Sequence, residues 1–237
     1  MKCFFNGCAV LLTAAILNST PSAAATIYDN SVNDLLTRFN PGTAQIGDEI
    51  TLAGTERYLT RFDFEYWGTN TANPFAFSGN VKAEVRFYLN DGPMFNGYAT
   101  PGTKFFDSGL FGGFGPTPRS TLVFTIPGGD FPSTGLFIPG SDITWSVQFS
   151  GMAGTDSVGV DLYNPPVVGG TVPATGQQDY WQNTGGGWQL LTNNVPMNFG
   201  ARFFASADPV PEPSALPLTA LGSCLAWVIA RRARAKK

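Results

Sequence analysis

Val81–Leu89, VKAEVRFYL, alternates without a break: Val81, Ala83, Val85, Phe87 and Leu89 fall on one face, Lys82, Glu84, Arg86 and Tyr88 on the other. A period of two is the signature of a half-buried strand, because successive side chains leave a pleated backbone on opposite sides. Arg61–Trp67, RFDFEYW, repeats it, with Phe62, Phe64 and Tyr66 inward and Arg61, Asp63 and Glu65 outward. Ile143–Phe149, ITWSVQF, does so again through Ile143, Trp145, Val147 and Phe149. TLVFTI from Thr121, VGVDLY from Val158 and MNFGARFF from Met197 are further strand candidates.

Turn chemistry punctuates these runs at Pro41-Gly42, Asn90-Asp91-Gly92, Pro101-Gly102, Pro127-Gly128 and Pro139-Gly140. Many strands so divided, without strong helices between them, predict an all-β fold: an antiparallel, jelly-roll-like β-sandwich. SVNDLLTRF, Ser31–Phe39, reads equally as a short helix capped by Ser31 or as extended chain. No repeat of solenoid or propeller length stands out.

Composition agrees with one globular, turn-rich domain. Charged residues are 13% of the 237, aromatics 14%, with 28 Gly and 18 Pro. Between Thr26 and Asp208 lie 16 acidic and 8 basic residues, a net charge of −8, whereas the last seven residues carry +5. A nucleic-acid binder needs a basic face on its folded domain, and this domain has the opposite sign. The chain contains no His, which removes the commonest general base and zinc ligand and the Ser-His-acid triad together. Cys3, Cys8 and Cys224 all fall outside the segment 26–208, so the domain must rest on its apolar core rather than on disulfides. Neither a metal nor another cofactor is expected.

Residues 1–25 read as a secretory signal helix. Lys2 gives the positive start, Ala9–Leu17 the apolar run, and STPSAAA the small residues for cleavage after Ala24 or Ala25. A single extracytoplasmic domain then spans 26–208, and a distinct tail spans 209–237.

Within the domain, candidate chemistry is sparse. Asp63 and Glu65 are two apart on a strand, but alternating charge balanced by Arg61 is expected on a solvated face. Asn90-Asp91-Gly92 and the segment holding Asp156 and Asp161 offer oxygens without the spacing of a calcium loop. LFGGFGP, Leu110–Pro116, is a flexible apolar loop with no phosphate-cradling pattern. The long stretch Tyr163–Trp188 is rich in Gly, Pro and amides and carries Tyr180, Trp181 and Trp188. Rings beside amides suit a carbohydrate contact; the alternative is that they fold back and cap the sandwich. A carboxylate-dependent glycosidase would need two acids facing each other across a cleft, and nothing in the sequence pairs them.

The tail carries the most information. Pro211, Glu212 and Pro213 form an extended, helix-free segment. Ala215–Ala230 follows, an apolar run including Ala215, Leu216, Leu218, Leu221, Leu225, Trp227 and Ile229. As a helix its 16 residues would reach ~24 Å, just short of a hydrocarbon core of ~30 Å. Snorkelling arginines and flanking residues would make up the difference. Arg231, Arg232, Arg234, Lys236 and Lys237 would hold the C-terminus in the cytoplasm by the positive-inside rule.

Pro-Glu-Pro, one apolar span and a terminal basic cluster, in that order behind a signal peptide, resemble the PEP-CTERM sorting signal of exported bacterial proteins. Pro217 inside the span and the span's shortness are mild departures. The resemblance covers 28 residues and implies a membrane-embedded exosortase as partner, besides the secretion machinery. It also implies removal of the tail and delivery to the surface or extracellular matrix of an exopolysaccharide-making Gram-negative cell. The expected function is therefore a non-enzymatic surface or matrix protein, tethered to the inner membrane before processing. The alternatives are an exopolysaccharide-binding module and, behind it, the glycosidase.

Overall fold

The computed structural model describes residues 23–172 and 178–211. In chain order its strands are β1 (Ala25–Asn30), β2 (Asp34–Phe39), β3 (Gln45–Thr51), β4 (Tyr58–Asn70), β5 (Lys82–Leu89), β6 (Met94–Phe95), β7 (Tyr98–Ala99) and β8 (Lys104–Asp107). They continue with β9 (Thr117–Thr125), β10 (Leu136–Phe137), β11 (Asp142–Ser150), β12 (Asp156–Tyr163), β13 (Gly170–Thr171), β14 (Asp179–Asn183), β15 (Trp188–Thr192) and β16 (Ala201–Ser206). One sheet runs β1-β16-β4-β12-β2, with β9 and β10 also on β4. The second runs β15-β14-β3-β11-β5-β8, with β13 also on β3; β6 and β7 make a small separate ladder. All of these pairings are antiparallel. The expected all-β, antiparallel, two-sheet architecture is what the described residues adopt.

The inward faces read from sequence form the core. Ala83, Val85 and Phe87 of β5, Ile143, Trp145, Val147 and Phe149 of β11, and Phe62 and Phe64 of β4 are all fully buried. Phe62 joins the two sheets: its ring centroid lies 5.1 Å from Phe87, 5.3 Å from Trp145 and 4.7 Å from Phe203. Tilted and edge-on packing of this kind is worth about 1 kcal/mol per pair beyond the buried area.

Of the two readings of Ser31–Phe39 the extended one holds: residues 34–39 are strand, their backbone pairs with β12, and Leu36 takes a left-handed conformation (φ 54°) with 87% of its surface exposed. Other local readings are corrected. Asp63 is not solvated but 1% exposed, because Arg61 and Arg202 close over it. Asn90-Asp91-Gly92 does not close a simple hairpin. Asp91 accepts from the N–H and hydroxyl of Thr103 and pins the base of the β6–β7 excursion. Leu110–Pro116 is not a bare apolar loop: Phe111 bridges to Ala83, and Phe114 packs edge-on against Tyr66 at 5.2 Å.

Close approaches fix two glycines. At Gly159 an added Cβ would lie 1.9 Å from the carbonyl oxygen of Phe39, so β2 and β12 can meet only if that position is bare. At Gly200 a Cβ would strike the Tyr163 ring at 2.6 Å.

The first and last strands are neighbours: Ala25 of β1 pairs with Ala205 of β16. The chain stays anchored a little further, since Val210 N–H donates to Thr134 O at 2.9 Å. Pro211, next in line, is exposed. Glu212, Pro213, the apolar span, the basic end and most of the signal segment lie outside the described residues. Among the described residues no helix is long and apolar enough to cross a membrane.

Candidate functional site

The three aromatic residues singled out from sequence come together on β14 and β15 but have different fates. Trp181 is fully buried, and its indole N–H donates to Glu49 at 2.9 Å; it has no face open to a ligand. Tyr180 is half-buried and packs edge-on against Phe39 at 5.1 Å. Trp188 is half-buried and meets Tyr88 edge-on at 5.5 Å.

That last contact defines the shape of the region. In the hydrogen-bonded order β15 and β5 are four strand steps apart, which on a flat sheet is about 19 Å. Tyr88 reaches across β11 as far as Gln45 of β3, and the β14–β15 hairpin curls over the outer face of its own sheet to bring Trp188 to it. The fold-over explains why Thr144 and Ser146, on the outward side of β11, are fully buried. Gln45 spans beneath it, donating to Tyr88 Oη at 3.0 Å and Ser146 Oγ at 2.7 Å. Capping, the blander of the two readings, describes Trp181; Trp188 keeps part of its surface.

At the end of this flap a groove of about 570 Å³ opens between the β2–β3 turn and the β14–β15 turn. Pro41 and Thr43 line one side, Gln182, Asn183 and Thr184 the other, with Gln148 between them. None of its lining residues is charged.

Glu49, under the flap, is pushed up to about 7. Burial is the main cause, with the negative charges of Asp142 and Asp179 adding to it against the Trp181 hydrogen bond. Asp48, the next residue, faces the core opposite Trp145 and accepts from Phe199 N–H at 2.9 Å. Its carboxyl is raised well above the ordinary range, again chiefly by burial.

A second polar cluster, on the outer face of the first sheet, was not visible in the sequence. Arg119 of β9 donates to Asp34 at 2.7 Å, stands 3.4 Å from Glu65 and 3.6 Å from Asp161, and lies over the Tyr163 ring at 5.4 Å. Tyr163 donates its hydroxyl to Glu65. Arg38 approaches Asp161 at 3.6 Å and lies over Trp67. Asp161 is buried, so its carboxyl is raised to about 6 although Arg119 and Arg38 pull it down. These residues come from β2, β4, β9 and β12, far apart in sequence, and only the sheet order brings them together. The cluster is an ion-pair network, in which each carboxylate faces a guanidinium.

The remaining candidates have structural partners. Asp63 is clamped by Arg61 at 2.7 Å and Arg202 at 2.8 Å. Asp156 accepts three backbone N–H groups, from Ser78, Gly79 and Ala153, and so ties loop 71–80 to β12. Among the described residues no group of three or more His, Cys, Asp or Glu is placed to hold a metal ion.

No family model, no curated protein and no solved structure matches this chain.

Proposed function

We infer that this chain is an exported bacterial surface or matrix protein, whose two-sheet domain is carried outward by a leader and sorted by removal of a C-terminal tail. One observation carries the reading. Strand β1 begins at Ala25, beside the expected leader cleavage after Ala24 or Ala25, and the last described anchor is Val210, one residue before Pro211. Cleavage after Ala24 would leave β1 whole and cleavage after Ala25 would remove only its first residue, while loss of the residues after Pro-Glu-Pro would leave every described strand and the core intact. The apolar run and basic cluster beyond Pro-Glu-Pro support a tether with its end in the cytoplasm. The motif itself supports an exosortase-type enzyme as the processing partner. The carboxylates of Asp63 and Asp156 are held by structural partners, which supports a binding or structural role for the faces they occupy.

Intact-mass spectrometry of the mature protein from its native host tests this. The expected mass lacks the leader and the residues after Pro-Glu-Pro. Extracellular material that still contains Trp227 and the terminal lysines overturns the reading.

A further inference from the structure

We propose that the groove between the β2–β3 turn and the β14–β15 turn binds a neutral polysaccharide through the amide groups of Gln148, Gln182 and Asn183. The hydrogen bonds already made there determine what the groove offers. Asn183 Oδ1 accepts Gly185 N–H at 2.8 Å, which fixes the amide plane and turns its NH2 outward as donor. Gln182 Oε1 accepts the Tyr180 hydroxyl at 3.4 Å, leaving its NH2 without a partner among the described residues. Gln148 Oε1 accepts from Arg86, and one of its two N–H bonds goes to Thr43 O at 3.0 Å. The carbonyl ends are thus occupied and the amide N–H groups are spare.

A surface whose amide oxygens each already accept a hydrogen bond, and which carries no carboxylate, gives a cation no counter-charge. A surface without Lys or Arg gives no counter-charge to a carboxylate or phosphate. What remains is a ligand dense in neutral oxygen acceptors, with hydroxyls that can also meet the Thr43 and Thr184 side chains. A chain of unsubstituted hexoses is that ligand. Trp188 stands directly opposite Asn183 in the β14–β15 ladder and keeps part of its surface exposed. It lies beside Asn183 but outside the groove's lining, so a glycan running past Asn183 meets an apolar face there. The volume of about 570 Å³ suits two or three sugar units rather than a single small solute. This inference concerns the groove alone and is independent of how the protein is delivered.

The test is affinity electrophoresis of the full chain in mild detergent, through native gels cast with dextran, hydroxyethyl cellulose, laminarin or the polyuronate alginate. Retardation by at least one neutral polysaccharide, stronger than by alginate, is expected. Gln182→Ala combined with Asn183→Ala should weaken it about tenfold or more, the cost of losing one to two net hydrogen bonds. Thr43→Trp, which fills the groove without touching the Thr43 carbonyl, should abolish it. Thr121→Ala on the opposite sheet should leave it unchanged. The two groove designs act in opposite ways, so a folding defect in one leaves the other decisive. Migration unaffected by every neutral polysaccharide, equal retardation of wild type and Thr43→Trp, or a preference for alginate overturns the proposal. Because purified protein is used, a negative result leaves the delivery reading standing, and an unprocessed tail leaves this one standing.

Discussion

The Trp181 indole N–H donates to Glu49 at 2.9 Å, and both groups sit beneath the β14–β15 flap, where Asp142 and Asp179 add negative charge. A carboxyl in that position is held in its protonated form well above its ordinary range, so this contact couples the flap to pH.

Stability should fall as pH rises through neutrality because of Glu49. Its folded pKa of about 7 exceeds the unfolded value of 4.5. The native state therefore binds more protons between those limits, and the Glu49 contribution, full below pH 4.5, is lost as pH rises through 7. Allowing for partial exposure, about 1–2 kcal/mol is at stake. Thermal melts of wild type and Glu49→Gln should converge near pH 4.5 and diverge above pH 7, with the variant the more stable; Trp181 fluorescence should titrate near pH 7 in wild type only.

The Asp63 clamp should show itself in a thermodynamic cycle. Arg61→Met with Arg202→Met leaves a carboxylate with 1% exposure unpaired and should cost about 3 kcal/mol or more. Adding Asp63→Asn removes the stranded charge and should restore part of that loss. Urea denaturation of these two variants and of Asp63→Asn alone closes the cycle; strictly additive losses would mean the carboxylate and its guanidinium pair act independently.

Gly159→Ala should cost about 3 kcal/mol or prevent folding, since its methyl group would overlap the Phe39 carbonyl and force β2 from β12. Gly115→Ala, where an added Cβ meets nothing within 4 Å, should stay within about 0.5 kcal/mol of wild type. Soluble yield and urea midpoints compare the two.

The domain's edge should lie at Val210. A chain of residues 25–211 should unfold in one cooperative step with the midpoint of the full-length protein. Ending it at Ser206 removes the Val210–Thr134 bond and the Ser206–Asp208 contact and should cost about 1–2 kcal/mol. Differential scanning calorimetry distinguishes them.

The strands that make the core were readable because burial on one side imposes a period of two, and β5 and β11 show it residue by residue. Asp63 was misread because the same alternation that points it away from the core says nothing about Arg202, 139 positions away in sequence, lying over it. Leu35 and Leu36 share a helical face only while the chain is considered alone; pairing with β12 overrides that preference. The Arg119 cluster and the groove depend on sheet order and on a hairpin that folds over its own sheet, neither of which local pattern specifies. The groove's amides and the neighbouring Trp188 stand out in sequence only as composition, without the geometry that separates them from the buried Trp181.

The position of the chain ends gives the molecule a top and a bottom. Ala25 and Ala205 lie at the Tyr58–Leu59 end of β4, whereas Asn40, at the β2–β3 turn, bonds Ser157 beside Thr69 at the other end. Eleven residue steps of strand separate these levels, about 36 Å. The groove thus opens at the end of the domain opposite the chain ends, so a chain tethered by its C-terminus, as proposed, would present the groove on the side farthest from the tether.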